Sequence, residues 1–337
     1  MLSTPGAPAL KAAEGALPVR SVAAYGAPGG FTPAFSANLR AAVWVLLGSR
    51  ASVWHFVFAP NARTSGAGKL MRRLRGVPVV QTIASPPRSF ADPQSLFFGD
   101  VLVAQSEWTR EAIQTSYDAS GFRAPRIEVI PPPVPDLASP SDVEIAAVRR
   151  DLGLAPGQSY LLYPGDLETS SGAEATASLA ERVPAALPDV VTVFAYRRKS
   201  PRAAEVAARL AARLPPAHTR FLENAPNILA LLAGAAAVVF PVDDLWGKVD
   251  LPIVLLEAMA LGVPVIVLDQ GPLRDLEGVA KVPSLEAASW LSQVSELLTD
   301  PGRCVELARA QRSALAKRHA ASVVARAYEE LYLELAR

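Results

Sequence analysis

Leu251-Pro252-Ile253-Val254-Leu255-Leu256-Glu257-Ala258-Met259-Ala260-Leu261-Gly262-Val263-Pro264-Val265-Ile266 reads as a helix that feeds a buried strand. Pro252 suits the first turn of a helix, where its missing N–H would have no partner anyway. Gly262 ends the helix. Val263–Leu268 is a continuous apolar run of strand length, the pattern of a strand covered on both faces. It delivers Asp269-Gln270-Gly271-Pro272-Leu273-Arg274-Asp275 to a loop at its carboxyl end, the edge at which open parallel sheets bind ligands.

The same alternation runs outward in both directions. Behind this segment, Tyr160–Tyr163, Val190–Ala195, Thr219–Leu222 and Ala236–Pro241 read as strands with helices between them, the signature of βα units and a parallel sheet. The first half repeats the pattern with Val19–Tyr25, Ser52–Phe58, Val77–Ile83, Asp100–Ser106 and Ile127–Ile130 as strands, and with Ala34–Ser49, Lys69–Gly76 and Glu107–Ser116 as helices. Pro131-Pro132-Pro133 and Pro135 cannot continue a strand, so the first sheet ends there. The chain is therefore expected to be α/β, with two Rossmann-like, doubly wound domains: residues 1–138, a linker over 139–158, and residues 159–318. A C-terminal helix over 319–337 is expected to pack back toward the first domain.

Composition narrows the function. The 337 residues are half apolar and 19% charged, with a formal net charge of +1, which fits an ordinary globular protein and carries none of the basic excess of a nucleic-acid binder. One cysteine, Cys304, allows no intrachain disulfide. The histidines His55, His218 and His319 lack metal-ligand spacing, so no metal site is expected. Met1–Pro18 lacks the basic-then-apolar order of a signal peptide. The apolar stretch Ala41–Leu47 is far short of the roughly 20 residues of a membrane span. A cytoplasmic protein, with contact to the inner face of the membrane as an option, is the expectation. Lys69-Leu70-Met71-Arg72-Arg73-Leu74-Arg75 is the stretch that could touch anionic headgroups.

Glu257 is a carboxylate on an otherwise apolar helix, and Glu is rarely buried unless paired. Its two oxygens suit it to accept hydrogen bonds from the vicinal hydroxyls of a ribose. An exposed helix residue fits the periodicity equally well. The run Leu256-Glu257-Ala258-Met259-Ala260-x-Gly262-x-Pro264-Val265-Ile266, followed by Asp269-x-Gly271-x-Leu273-x-Asp275, resembles the donor-site signature of the family-4-like retaining glycosyltransferases of GT-B fold. Weaker echoes are Val53-Trp54-His55, Ser106, Ile127–Val134, and Pro164-Gly165-Asp166-Leu167 with Gly172; together they cover approximately residues 50 to 335. The resemblance implies two domains facing a cleft, with Glu257 on the ribose and with Gly165, Asp166, Leu251 and Pro252 at the donor. It also implies a metal-independent transfer with no cofactor, from a nucleotide-diphosphate sugar to an acceptor hydroxyl on a glycan, a lipid-linked carrier or a small molecule.

The sequence departs from that pattern at positions that carry chemistry. The family's Glu-x7-Glu pair places its first Glu where this chain has Val249, so Asp250 is the expected substitute, with Asp243 and Asp244 behind it. The family's cations in the turn after the first donor-domain strand are replaced by Asp166 and Ser170 or Ser171. Leaving diphosphate needs positive charge, so Lys248 and Arg197 are the expected phosphate ligands. A family His near the donor sugar is Ala84 here, which leaves Ser85 and His55 as candidates. The acceptor domain also reads as abridged, with Tyr25-Gly26-Ala27-Pro28-Gly29-Gly30-Phe31 as its candidate glycine-rich loop. Two functions follow: an active glycosyltransferase with Asp250, Lys248 and His55 as catalytic residues, or a catalytically degenerate GT-B protein serving as partner or scaffold of an active one.

Overall fold

The computed structural model describes residues 2–3, 22–23, 35–134, 136–246 and 248–337. The first half contains β1 (Leu2–Ser3), β2 (Val22–Ala23), α1 (Phe35–Gly48), β3 (Trp54–Phe58), α2 (Ala62–Arg75), β4 (Val79–Ile83), α3 (Pro93–Leu96), β5 (Val101–Ala104), α4 (Glu107–Ser120) and β6 (Arg126–Val129). Strands β3-β4-β5-β6 form one parallel sheet in sequential order, and β1 pairs with β2 separately. The loop Tyr25–Phe31 lies outside the described residues, as do most of Met1–Pro18 and the rest of the expected strand Val19–Tyr25.

After α5 (Asp142–Asp151), the second half contains β7 (Ser159–Tyr163), α6 (Gly172–Ala180), α7 (Val183–Ala186), β8 (Val190–Tyr196), α8 (Arg202–Arg213), β9 (Thr219–Glu223), α9 (Ile228–Ala233), β10 (Ala237–Phe240), α10 (Ile253–Ala260), β11 (Val265–Leu268), β12 (Ala280–Val282), α11 (Ala287–Thr299), α12 (Pro301–Ala314) and α13 (Ala321–Leu335). The sheet order is β12-β11-β10-β7-β8-β9, parallel throughout. Its winding reverses between β7 and β10, and a crevice opens at the carboxyl ends of strands on either side of such a reversal. Every residue of β8, β10 and β11 is buried, which is why these segments read as unbroken apolar runs. The two sheets are thus two parallel Rossmann-like α/β domains.

Several elements differ from the sequence expectation: α3 was not anticipated, and α4 runs on to Ser120. Helix α2 begins at Ala62, not at Lys69, because Asn61 caps it by accepting the Thr64 N–H; Gly66 and Gly68 in its first half mask that helix to propensity. Strand β12 was not anticipated, being three residues long with Lys281 at its centre. The basic side chains of α2 also make contacts within the fold. Lys69 donates to the Gln94 carbonyl, Arg72 pairs with Asp100, and Arg75 donates to the Leu46 and Ser49 carbonyls at 2.7 and 3.0 Å. These three side chains thus have partners within the fold while remaining, with Arg73, exposed. Among the described residues no helix is long and apolar enough to cross a membrane.

Helix α13 closes over the N-terminal sheet through His55. One imidazole nitrogen, Nε2, lies 2.7 Å from the Thr82 hydroxyl, and the other, Nδ1, lies 2.6 Å from the Tyr332 hydroxyl. The rings of Tyr328 and Tyr332 pack beside the imidazole, and the Tyr328 hydroxyl reaches Thr82 at 3.1 Å. Burial lowers the His55 pKa to about 4, so the folded chain binds its proton less readily than the unfolded chain does. Stability from this residue is complete above the unfolded value of 6.5 and is lost as pH falls through 4, a contribution of about 3 kcal/mol. Urea unfolding across that window should give a more positive slope of stability with pH in the wild type than in His55→Gln; equal slopes would refute it.

Candidate functional site

The switch point between β7 and β10 opens into a cleft of about 940 Å³. Loops after β7, β8, β10 and β11 form one wall, with Glu168, Ser200, Arg202, Asp243, Trp246, Asp269 and Arg274. The N-terminal domain supplies the other, through Arg88 and Phe90 after β4 and Trp108 at the start of α4. Both domains therefore contribute to a single site at the carboxyl ends of their strands, as the physics of parallel sheets dictates.

The turn after β7 is shaped by one glycine. A Cβ on Gly165 would sit 2.4 Å from the Tyr163 ring, so the backbone lies directly over that ring, and the Tyr163 hydroxyl donates to the Asp166 carbonyl at 2.8 Å. Asp166 itself is buried, and its carboxylate faces Lys248 at 3.0 Å and Lys199 at 3.2 Å while accepting the Thr169 N–H at 2.9 Å. Burial raises its pKa, but Lys248, the Thr169 N–H and Lys199 outweigh burial and hold it down at about 2.

Lys248 is thus neutralised inside the protein, contrary to its expected role as an open phosphate ligand. Arg197 is exposed on the loop after β8 and is not among the residues lining the cleft. Its neighbour Arg198 pairs with Glu223 at 2.8 Å.

Asp250 is likewise placed elsewhere than the sequence suggests. It is fully buried, accepting the Ser106 hydroxyl at 2.7 Å and the Thr109 hydroxyl at 2.8 Å. Both partners belong to the N-terminal domain, and Ser106 is the N-cap of α4. Beside it the Asp275 carboxylate accepts the Trp108 N–H at 2.7 Å. Two carboxylates of one domain therefore grip the positive end of a helix in the other. Burial pushes the Asp250 pKa up to about 6, against the two hydroxyl hydrogen bonds and with a further push from Asp275. A carboxylate engaged in this way is a clasp between domains, and it is not among the residues that line the cleft.

His55 lies under α13 with both nitrogens engaged and is not among the residues that line the cleft. Leu251 and Pro252 are buried ahead of α10 and do not line the cleft. Glu257 does not line it either. It sits on α10, half-buried, with no hydrogen bond or ion pair from its carboxylate to any described residue, and burial raises its pKa.

What sequence reasoning missed are the cleft's own cations. Arg88, Arg202 and Arg274 line it, and among the described residues none of the three is ion-paired. The acids beside them are partly occupied: Glu168 accepts the Lys199 and Ser200 N–H groups, Asp243 the Ser171 N–H and Asp244 the Trp246 N–H. Each arginine lies within six residues of the carboxyl end of β4, β8 or β11, a positional signal that charge alone does not give.

Comparisons with known proteins bear on the family and the fold. The sequence profile described as glycosyl transferases group 1 matches residues 144–314. The chain is 28% identical over 201 residues to a D-inositol 3-phosphate glycosyltransferase of Pseudarthrobacter chlorophenolicus, covering 55% of this chain and 45% of that protein. It is 28% identical over 228 residues to the enzyme of that name from Nocardia farcinica, covering 64% and 49%. The chain thus spans about half the length of the curated relatives it matches. Among solved structures, a Rickettsia africae glycosyltransferase superposes with TM-score 0.72 at 13% identity, over 94% of this chain and 84% of that one. Anabaena HepE in complex with UDP-glucose superposes with TM-score 0.72 at 15% identity, over 93% and 86%. These structures share the GT-B fold with the present chain.

Proposed function

Because the chain belongs to the glycosyl transferases group 1 family, we propose that it transfers a sugar from a nucleoside-diphosphate donor to an acceptor hydroxyl, with retention and without a metal. The observation that carries this reading is the cleft at the β7/β10 switch point, walled by both domains and lined by three guanidiniums that have no ion pair among the described residues. Departure of a nucleoside diphosphate develops negative charge, and fixed cations in a sheltered site stabilise it at the moment it forms. Arg202 and Arg274 take that role in place of Lys248 and Arg197. Glu257, which lies on α10 outside the cleft lining, is assigned to the ribose hydroxyls on the family resemblance and because a half-buried carboxylate with no partner among the described residues gains most from a ligand that donates to it. The acceptor enters from the side of Phe90 and Trp108 and attacks the face that the diphosphate leaves.

A second reading, a non-catalytic GT-B protein that acts as partner of an active transferase, is favoured by two placements. Lys248 is cancelled by Asp166, and Asp250 is locked between domains. Thermal unfolding with UDP, GDP and ADP separates the readings, because ligand at 100 times its dissociation constant stabilises by about 2.7 kcal/mol. Stabilisation that disappears in Glu257→Ala, together with release of nucleoside diphosphate from a nucleotide sugar, is the result expected of the transferase. Stabilisation without release supports the second reading. No stabilisation by any nucleotide overturns the donor site altogether.

A further inference from the structure

One cation in the cleft comes from the domain that is not expected to hold the donor. Arg88 follows Pro86-Pro87 on the loop after β4, where the two prolines restrict the backbone that carries it. Its guanidinium lies 3.8 Å from the ring centroid of Trp246, an indole that belongs to the opposite domain. The backbone of Trp246 is in turn held by its main-chain N–H, which donates to the Asp244 carboxylate at 2.7 Å. A guanidinium stacked on a ring has one face covered and keeps its in-plane N–H edge for a ligand. That edge is a fork matched to phosphate oxygens. Arg88 has no carboxylate partner among the described residues, whereas Lys248 has one at 3.0 Å.

We propose that Arg88 is a ligand of the donor's terminal phosphate, supplied by the N-terminal domain and held ready by Trp246. The inference rests on the reading of the cleft as a nucleoside-diphosphate site. Its consequence is that the diphosphate is gripped by both domains at once, so that phosphate recognition also reports on how the domains face each other. A lysine at this position would keep the charge and lose both the stacking and the fork.

The experiment compares the affinity of the nucleoside, its monophosphate and its diphosphate at constant ionic strength, for uridine, guanosine and adenosine, in wild type, Arg88→Ala, Arg88→Lys and Trp246→Leu. Wild type should prefer a diphosphate over its monophosphate. Arg88→Ala should lose that preference by a factor of about 10 to 100, with monophosphate affinity unchanged and with an unchanged unfolding midpoint, because Arg88 is exposed. Arg88→Lys should recover part of the loss, and Trp246→Leu should weaken the diphosphate in the same direction. Arg88→Ala that keeps the full preference overturns this proposal alone. A wild type that binds no nucleotide overturns the donor reading and this proposal with it.

Discussion

Replacing Asp250 with alanine should cost about 2–4 kcal/mol of unfolding free energy and should loosen the two domains relative to each other. The carboxylate is fully buried and takes two hydroxyl hydrogen bonds from α4, at 2.7 and 2.8 Å. Alanine leaves the Ser106 and Thr109 hydroxyls without an acceptor inside the protein and removes one of two anions from the helix's positive end. Urea unfolding measures the cost, and small-angle scattering measures the loosening as a larger radius of gyration. An Asp250→Ala protein with unchanged stability and unchanged scattering would show the clasp to be decorative.

The same residue sets a pH signature. Its folded pKa is raised from 3.8 to about 6, so the folded chain holds this proton more tightly than the unfolded one. The associated stability is present below pH 3.8 and is lost as pH rises through 6, by about 3 kcal/mol. His55 has the opposite sign over nearly the same window, since its folded pKa is lowered to about 4. The two contributions therefore offset each other in the wild type. Asp250→Asn should expose the rising slope of His55, and His55→Gln the falling slope of Asp250.

The architecture was legible in the chain because parallel strands buried on both faces leave continuous apolar runs, and because Pro252 and Gly262 punctuate the helix between two of them. The strands from Ser159 to Leu268 fall within two residues of their expected ends, whereas β12 was invisible, since three residues with a central lysine carry no periodicity. The site was less legible for a physical reason. Asp250 and Lys248 have the right chemistry at nearly the right spacing, but sequence cannot reveal what partner a charged group has already taken. Ser106 and Thr109 are more than 140 residues from Asp250, and Asp166 is 82 from Lys248. The arginines that line the cleft carry no sequence signal of their own, because each stands in a loop, a short turn or the first position of a helix, where solvated charge is the usual outcome.

Asp166→Asn is the substitution that most directly asks whether the site is held in reserve. Lys248, whose side chain is only 10% exposed, has its ion pair with this carboxylate at 3.0 Å, and Lys199 adds a second at 3.2 Å. Asparagine keeps an oxygen for the Thr169 N–H but removes the charge, leaving Lys248 sheltered and unpaired. The expected cost is about 3 kcal/mol at neutral pH, and it should shrink in acid. The wild-type carboxyl is depressed from 3.8 to about 2, so its contribution is present above pH 3.8 and disappears as pH falls through 2. The freed lysine then seeks an anion, and a diphosphate in the cleft can supply one. Nucleoside-diphosphate affinity should rise by about tenfold in Asp166→Asn, the equivalent of one recovered charge-assisted contact, and saturating ligand should restore much of the lost stability. A fall in affinity would mean instead that Asp166 itself meets the donor, the role first expected from its place after Gly165, and that Lys248 is bound to it to orient it and not to silence it.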